Sequence, residues 1–298
     1  MFISPKSDVC MKELFRNETV LKYFVSAVLA VPPESIHTIH LRNTFLWRRY
    51  RKQKQGILDV LAEMNTLSKI NIELQIRHYA HWDRRQLFYL SRLFAEDLQT
   101  GEDYSRLKRC IAIGILDFDL TGLEEYHHVY RLRDKYGNEF SDVLEVHVLE
   151  LGKKLKETGE IEEWIRFFRA ESKEDLNMIR TKNPGLRVAV REVNTMSLSR
   201  RLRLRYEAHL KAVRDENAWK EYERTEARKE GLAEGRAEGR AEGRAEGRAE
   251  GLSEGRAEAF NQIIRNMIDQ EVSDQDIIRL SGCSVEELKK IKESILQQ

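Results

Sequence analysis

The sequence predicts an α/β protein: one central mixed β-sheet flanked by helices, then a long charged helical arm and a small helical tail. Three observations predict it. Through about residue 195, apolar runs of period two alternate with apolar residues at helical spacing. From Met196 to Glu230 the chain becomes charged and helix-favouring. A tetrapeptide of the GRAE type then repeats seven times, from Gly231 to Glu258. The expected organisation is therefore 1–195 as a globular domain, 196–230 as a charged helix, 231–258 as a spacer, and 259–298 as a small helical module.

Composition bounds the function. The chain has 298 residues, 41% hydrophobic and 34% charged, with four prolines, enough apolar material for a core without disulfides or structural metals. Lys and Arg number 51 against 50 Asp and Glu, a net charge of +1. That excludes a uniformly basic coat and leaves room for local basic patches. Cys10, Cys110 and Cys283 are too scattered for a disulfide framework or a metal-binding cluster, which fits a reducing compartment. The segment MFISPKSDVC is not a secretory leader, and the most apolar stretch, Tyr23–Pro33, falls short of the ~20 residues of a membrane span. A cytoplasmic protein without a membrane partner is expected.

Each element has its own signal. Ser7–Val31 carries apolar residues at helical spacing and is closed by Pro32-Pro33, giving one or two helices. Ile36–Trp47 is extended in character. Gly56–Met64 and Lys69–Ile76 both alternate with period two, and Asn65–Ser68 between them makes a hairpin. Trp82–Leu98 reads as a helix with Leu87, Leu90, Phe94 and Leu98 as its apolar stripe. Cys110–Phe118 is nearly all apolar, hence a central strand, and Asp142–Leu151 is another.

The repeat has no buried face in prospect. Four residues advance about 400° around an α-helix, so each position drifts by about 40° per tetrad. A Gly in every tetrad costs about 1 kcal/mol relative to Ala. The seven glutamates outnumber the five arginines, which disfavours tracking along a polyanion. A solvated, fraying helix or semi-flexible spacer is expected. In the tail, helices at Asp274–Leu280 and Ser284–Ile295 are separated by Ser281-Gly282-Cys283, and Ser284 with Glu287 makes a capping box. A small packing or oligomerisation module fits better than a base-reading helix-turn-helix, because the second helix mixes Glu and Lys.

The hairpin is where chemistry could sit. With the turn centred near Thr66, Asp59 lies across from Glu73, and both carboxylates point the same way. Like charges so placed need something positive between them, and hard oxygen ligands on fixed strands suit Mg²⁺ or Mn²⁺. The competing reading is a solvated sheet face with ordinary acidic residues. No catalytic Ser/His/Asp set, P-loop or dinucleotide fingerprint appears. His147 shares a strand face with Glu145 but has no second His at ligand spacing.

Several motifs now carry a resemblance. SPKSD at Ser4–Asp8, GILDV at Gly56–Val60, NIELQ at Asn71–Gln75 and RRQLFYLSRLF at Arg84–Phe94 resemble the Rpn group. GEDYSRLKRCIAIGILDF at Gly101–Phe118, LEVHVLEL at Leu144–Leu151 and WIRFF at Trp164–Phe168 continue the likeness in the same order. These are recombination-promoting nucleases and transposases of the PD-(D/E)XK nuclease superfamily. The resemblance spans roughly residues 4 to 170 and implies a restriction-endonuclease-like core that hydrolyses DNA phosphodiesters with a divalent metal. It makes Asp59, Glu73 and Gln75 the catalytic residues. Asp59, Glu73 and the Leu74 backbone carbonyl would hold Mg²⁺, or Mn²⁺, with Asp8 as an accessory ligand through water or, alternatively, an N-cap. Gln75 stands where the superfamily usually has Lys; it can orient water but supplies no positive charge. Arg42, Arg48, Arg49, Arg51, Lys52 and Lys54 form a basic run suited to a phosphate backbone, and Arg84 and Arg85 could face the same cleft. Tyr89 is expected in the core. The expected partners are DNA and, through the C-terminal helical region, a second copy of the chain. An inactive DNA-binding protein on a nuclease-like fold and a structural, oligomerising protein are the competing functions.

Overall fold

The computed structural model describes residues 2–46, 56–78, 80–155 and 159–296. The basic residues Arg48, Arg49, Arg51, Lys52 and Lys54 lie outside them. The chain divides into two compact units, Met1–Val213 and Arg214–Gln298.

The first unit is a mixed sheet with helices on both faces. Its strands are β1 (Ile39–Leu41), β4 (Val60–Met64), β5 (Ser68–Gln75), β6 (Arg109–Leu116), β8 (Glu139–Glu150) and β7 (His127–Arg133), in that spatial order. β5, β6 and β8 run parallel, and the other pairings are antiparallel. Helix α3 (Trp82–Ala95) crosses from β5 to β6, as a parallel pair requires. A two-stranded ribbon, β2 (Phe45–Leu46) with β3 (Gly56–Ile57), stands apart from the sheet.

The two faces are built differently. On one, Val60, Ala62, Ile70, Ile72, Leu74, Ile111, Ile113 and Ile115 form one core with helices α1 (Asp8–Leu14), α2 (Glu18–Leu29), α4 (Glu160–Arg169), α5 (Lys173–Met178) and α6 (Pro184–Leu198). WIRFF belongs here: Trp164, Phe167 and Phe168 are fully buried, and Phe24 meets Trp164 edge-on at 5.4 Å. On the other face, Leu58, Leu61, Cys110 and Ala112 pack beneath Tyr89, Leu90 and Leu93 of α3.

Three expectations change. The strand expected over Gly56–Met64 breaks at Leu58–Asp59, because its first part pairs with β2 and its second with β5. Leu58 consequently packs with Leu61 under α3, not with Val60 and Ala62. The buried stripe of α3 is Trp82, Gln86, Tyr89, Leu90 and Leu93, while Leu87 is 56% exposed. Tyr89 is in the core as expected. The hairpin turn does sit at Asn65-Thr66, whose φ of 51° and 59° make the left-handed pair that a tight hairpin needs. Asn65 also accepts from the His37 and Thr38 amides, tying the turn to the chain before β1.

Helix α7 (Arg200–Asp269) runs unbroken through the repeat, whose residues 231–258 are all exposed. Residue 195, where the composition shifts, lies inside α6. The end of α7 packs with α8 (Asp274–Ser281) and α9 (Val285–Leu296) around Ile264, Ile277, Cys283, Leu288 and Ile291. Gly282 ends α8 at φ 75°, and Ser284 and Glu287 form the expected capping box. Among the described residues, no helix is long and apolar enough to cross a membrane.

Candidate active site

Strand β5 is buried along its whole length, yet every second residue is polar. Lys69, Asn71, Glu73 and Gln75 are 5%, 1%, 0% and 8% exposed, so the solvated-face reading fails. A buried polar stripe is costly unless each group is partnered. Lys69 meets Asp97 at 2.8 Å and the Leu93 carbonyl at 3.1 Å. Gln86 of α3 donates through Nε2 to Glu73 Oε2 at 2.7 Å, and Asn71 Nδ2 reaches Oε1 at 3.4 Å. Arg85 Nη2 lies 3.8 Å from Glu73 and stacks over the Tyr89 ring.

Asp59 sits in the break between β3 and β4. Its carboxylate accepts from the Leu74 backbone N–H and faces Lys12 of α1 at 3.5 Å. Lys12 bridges to Asp8 at 2.7 Å. Asp8 is not the N-cap of α1: Ser7 is, accepting from the Cys10 amide. That frees the Asp8 carboxylate for Lys12, which stands between it and Asp59.

The electrostatics of the two carboxylates are coupled. Burial raises the pKa of Glu73, and Asp59 raises it further against the opposing Arg85, Gln86 and Asn71. Burial also raises Asp59, with Lys12 opposing and Asp8 adding repulsion. A buried and a half-buried carboxylate that repel each other, with incomplete neutralisation, form a hard-oxygen donor set, and Asn71 Oδ1 beside Glu73 is buried without a partner. Such a set fits Mg²⁺ or Mn²⁺ and not a soft metal. Among the described residues, no three His, Cys, Asp or Glu side chains group as a metal cage. Asp59 and Glu73 are the two carboxylates that face each other here, and Lys12 joins Asp8 to Asp59.

Gln75 lies two residues beyond Glu73 on the same strand, 8% exposed. Arg84 is exposed at the start of α3. Arg42 is committed to Glu63 at 2.6 Å, opposite Lys108 at 2.7 Å, and so belongs to a separate ion-pair group. Sequence reasoning missed Lys12, Gln86 and His127. Lys12 and Gln86 were legible only as polar residues on amphipathic helices. His127 comes from β7, an unforeseen strand, and lies 2.9 Å from His147, which bonds Glu145. Burial pushes Glu145 up, but Arg131, Arg109 and His147 outweigh it and hold it at about 2. Burial lowers His127 to about 4, so this group is an internal buttress of the β7–β8 edge at neutral pH.

No curated protein and no solved structure matches the chain. A family model described as PD-(D/E)XK nuclease family transposase matches residues 5–223, which takes in the whole sheet and every residue of the candidate site. With the match covering most of its length and the mixed sheet in place, the chain belongs to the PD-(D/E)XK nuclease family of transposases.

Proposed function

We propose that this protein is a metal-dependent DNA endonuclease that hydrolyses phosphodiester bonds in recombination, transposition or defence. The observation that carries the reading is the mutually repelling pair of the half-buried Asp59 and the buried Glu73, in a member of a nuclease family. Asp59, Glu73 and the Leu74 carbonyl would hold Mg²⁺, with Mn²⁺ as a substitute, and Asp8 would assist through water. When bound, the ion supplies Lewis acidity and lowers the pKa of a bound water.

The chain's own residues do the rest. Gln75 orients the attacking water through its amide, and Gln86 and Asn71 fix the Glu73 carboxylate. Lys12 holds Asp59 and Asp8 in reach of each other. Arg85 and Arg84, with the basic run Arg48, Arg49, Arg51, Lys52 and Lys54, hold the DNA backbone. A cytoplasmic location is supported by three free, buried cysteines, two of which burial raises to about 12 and so keeps as thiols.

Plasmid cleavage with Mg²⁺ or Mn²⁺ tests the function. Asp59→Ala and Glu73→Gln should fall to the level of an EDTA control while DNA binding persists. Gln75→Ala should slow cutting less than either, and Gln75→Lys should preserve or raise it. Cleavage by the parent in EDTA, or by Asp59→Ala at the parental rate, would overturn the mechanism. The competing reading, a DNA-binding protein without catalysis, is favoured by Gln75 in the usual place of Lys. It predicts salt-dependent binding with no metal-dependent cutting.

A further inference from the structure

A second cluster of arginines lies where α6 gives way to α7. Arg200, Arg201, Arg203 and Arg205 fall within six residues, and no acidic residue occurs from Val193 to Tyr206. The whole chain is nearly balanced, with 51 Lys and Arg against 50 Asp and Glu, so this local excess is not a by-product of composition.

Packing turns these arginines outward. Tyr206 of α7 is buried in the main core, and Leu202 and Leu210, four residues to either side, pack against the same core. Residues four apart share a helix face, so this seam fixes the rotation of the first turns of α7. Arg200, Arg201 and Arg205 are exposed, and Arg203 is half-buried. Among the described residues, none of the four makes a hydrogen bond or ion pair through its side chain. Further along α7, Lys220 bridges to Glu216 and Lys229 to Glu226.

The arrangement costs helix stability. Arg200 with Arg203, and Arg201 with Arg205, are like charges at neighbouring positions on one helix. The first turn of α7 has no acidic residue, and cations there oppose the helix dipole. A helix built for stability alone would mix its charges here, as α7 does later.

The patch belongs to the same compact unit as the candidate site, with α1 between them. Cys10 of α1 lies with its Sγ 3.9 Å from Met196 Sδ, while Asp8 and Lys12 of the same helix join Asp59. Arg200 follows Met196 by four residues, so on the order of 20 Å, about two helix diameters, separates patch and carboxylates. A duplex of about 6 base pairs covers that span. Guanidinium groups without partners suit phosphates, whose oxygens accept the arginine fork. We propose that Arg200, Arg201, Arg203 and Arg205 bind the phosphate backbone of the duplex DNA that enters at Asp59 and Glu73. The proposal rests on the nuclease reading for the choice of polyanion. An anionic membrane would want a continuous apolar strip beside the charges, and the exposed apolar side chains there are two isolated leucines, Leu198 and Leu204.

The test is binding without catalysis. Fluorescence anisotropy in EDTA measures the affinity for a short labelled duplex over a series of salt concentrations. Arg200→Gln, Arg201→Gln, Arg203→Gln and Arg205→Gln together should flatten the slope of log affinity against log salt by about 3 to 4, and weaken binding at least about tenfold at low salt. Lys at all four positions keeps the charge and should keep the parental slope. Arg236→Gln, Arg240→Gln, Arg244→Gln and Arg248→Gln in the repeat remove the same charge elsewhere and should change neither quantity. In circular dichroism melts without DNA, the patch Gln variant should melt no lower than the parent, because it relieves repulsion. An unchanged slope in that variant, an equal loss in the repeat variant, or a lower melting temperature overturns the proposal. So does binding to phosphatidylserine vesicles that depends on the four arginines while duplex binding does not. The two readings fail separately. Metal-dependent cutting with an unchanged slope leaves the nuclease and removes the patch. A flattened slope in a protein that never cuts leaves the patch and removes the nuclease.

Discussion

At Glu73, folding buries a carboxyl group between Gln86, Asn71 and a more distant Arg85, and burial with Asp59 raises its pKa. A raised value in the folded state means that folding favours the protonated form. This contribution to stability is present below the ordinary carboxylate value of about 4.3 and is lost as pH rises through the raised one. Glu73→Gln should therefore raise the melting temperature at pH 7 in EDTA, and the gain should vanish near pH 4. Thermal melts followed by circular dichroism at both pH values check it. Adding Mg²⁺ should raise the parent's melting temperature and leave the variant's unchanged, because the proposed ion would bind only the folded, charged pair. Asp59 and Glu73 were legible as candidates because a two-residue period leaves a carboxylate among apolar neighbours on each strand. Their partners were not. Lys12 and Gln86 reach them across tertiary space, and nothing local in their helices marks them.

Among the elements, strands buried on a continuous apolar run were easy to read, and β6 is central because Arg109–Leu116 offers apolar residues to both faces. β7 was missed because it is an edge strand of mixed, largely exposed residues, defined only by pairing with β8. The stripe of α3 was misplaced because Leu87 and Phe94 looked like better core residues than Gln86. A buried Gln86 follows from its bond to Glu73, a constraint that hydrophobicity does not encode. The close approach of α3 to the sheet gives a direct check. Gly114→Ala would place a methyl against the Trp82 ring and should cost about 1–3 kcal/mol, read from urea denaturation. In α7 the opposite holds: nothing stands within 4 Å of a Cβ at Gly239 or Gly243. Gly239→Ala and Gly243→Ala should each stabilise the helix locally by about 1 kcal/mol, seen as roughly fivefold slower amide exchange around them. A loss of protection there would show that the repeat's glycines admit a close neighbour.

The whole chain has two compact units with separate cores, one around the sheet and one around Ile264, Ile277 and Leu288. The composition shift near residue 195 announced a division, but the first unit extends to Val213 because Tyr206 of α7 is buried in the main core. Sequence could not place that limit, since α7 stays helical and charged on both sides of it. The named partners of Asp59 and Glu73 all fall between Asp8 and Gln86, and the family match ends at residue 223. Cutting chemistry should therefore survive removal of everything beyond it. A fragment of residues 1–223 should melt cooperatively, keep the Mg²⁺-induced rise in melting temperature, and cleave plasmid at a rate close to the full chain's. The C-terminal unit supplies none of the candidate ligands, so its loss should act on DNA affinity or self-association, read by gel shift and sedimentation. If the fragment folds but neither binds Mg²⁺ nor cuts, the site needs a group from the removed unit, and the assignment of chemistry to the sheet alone is wrong.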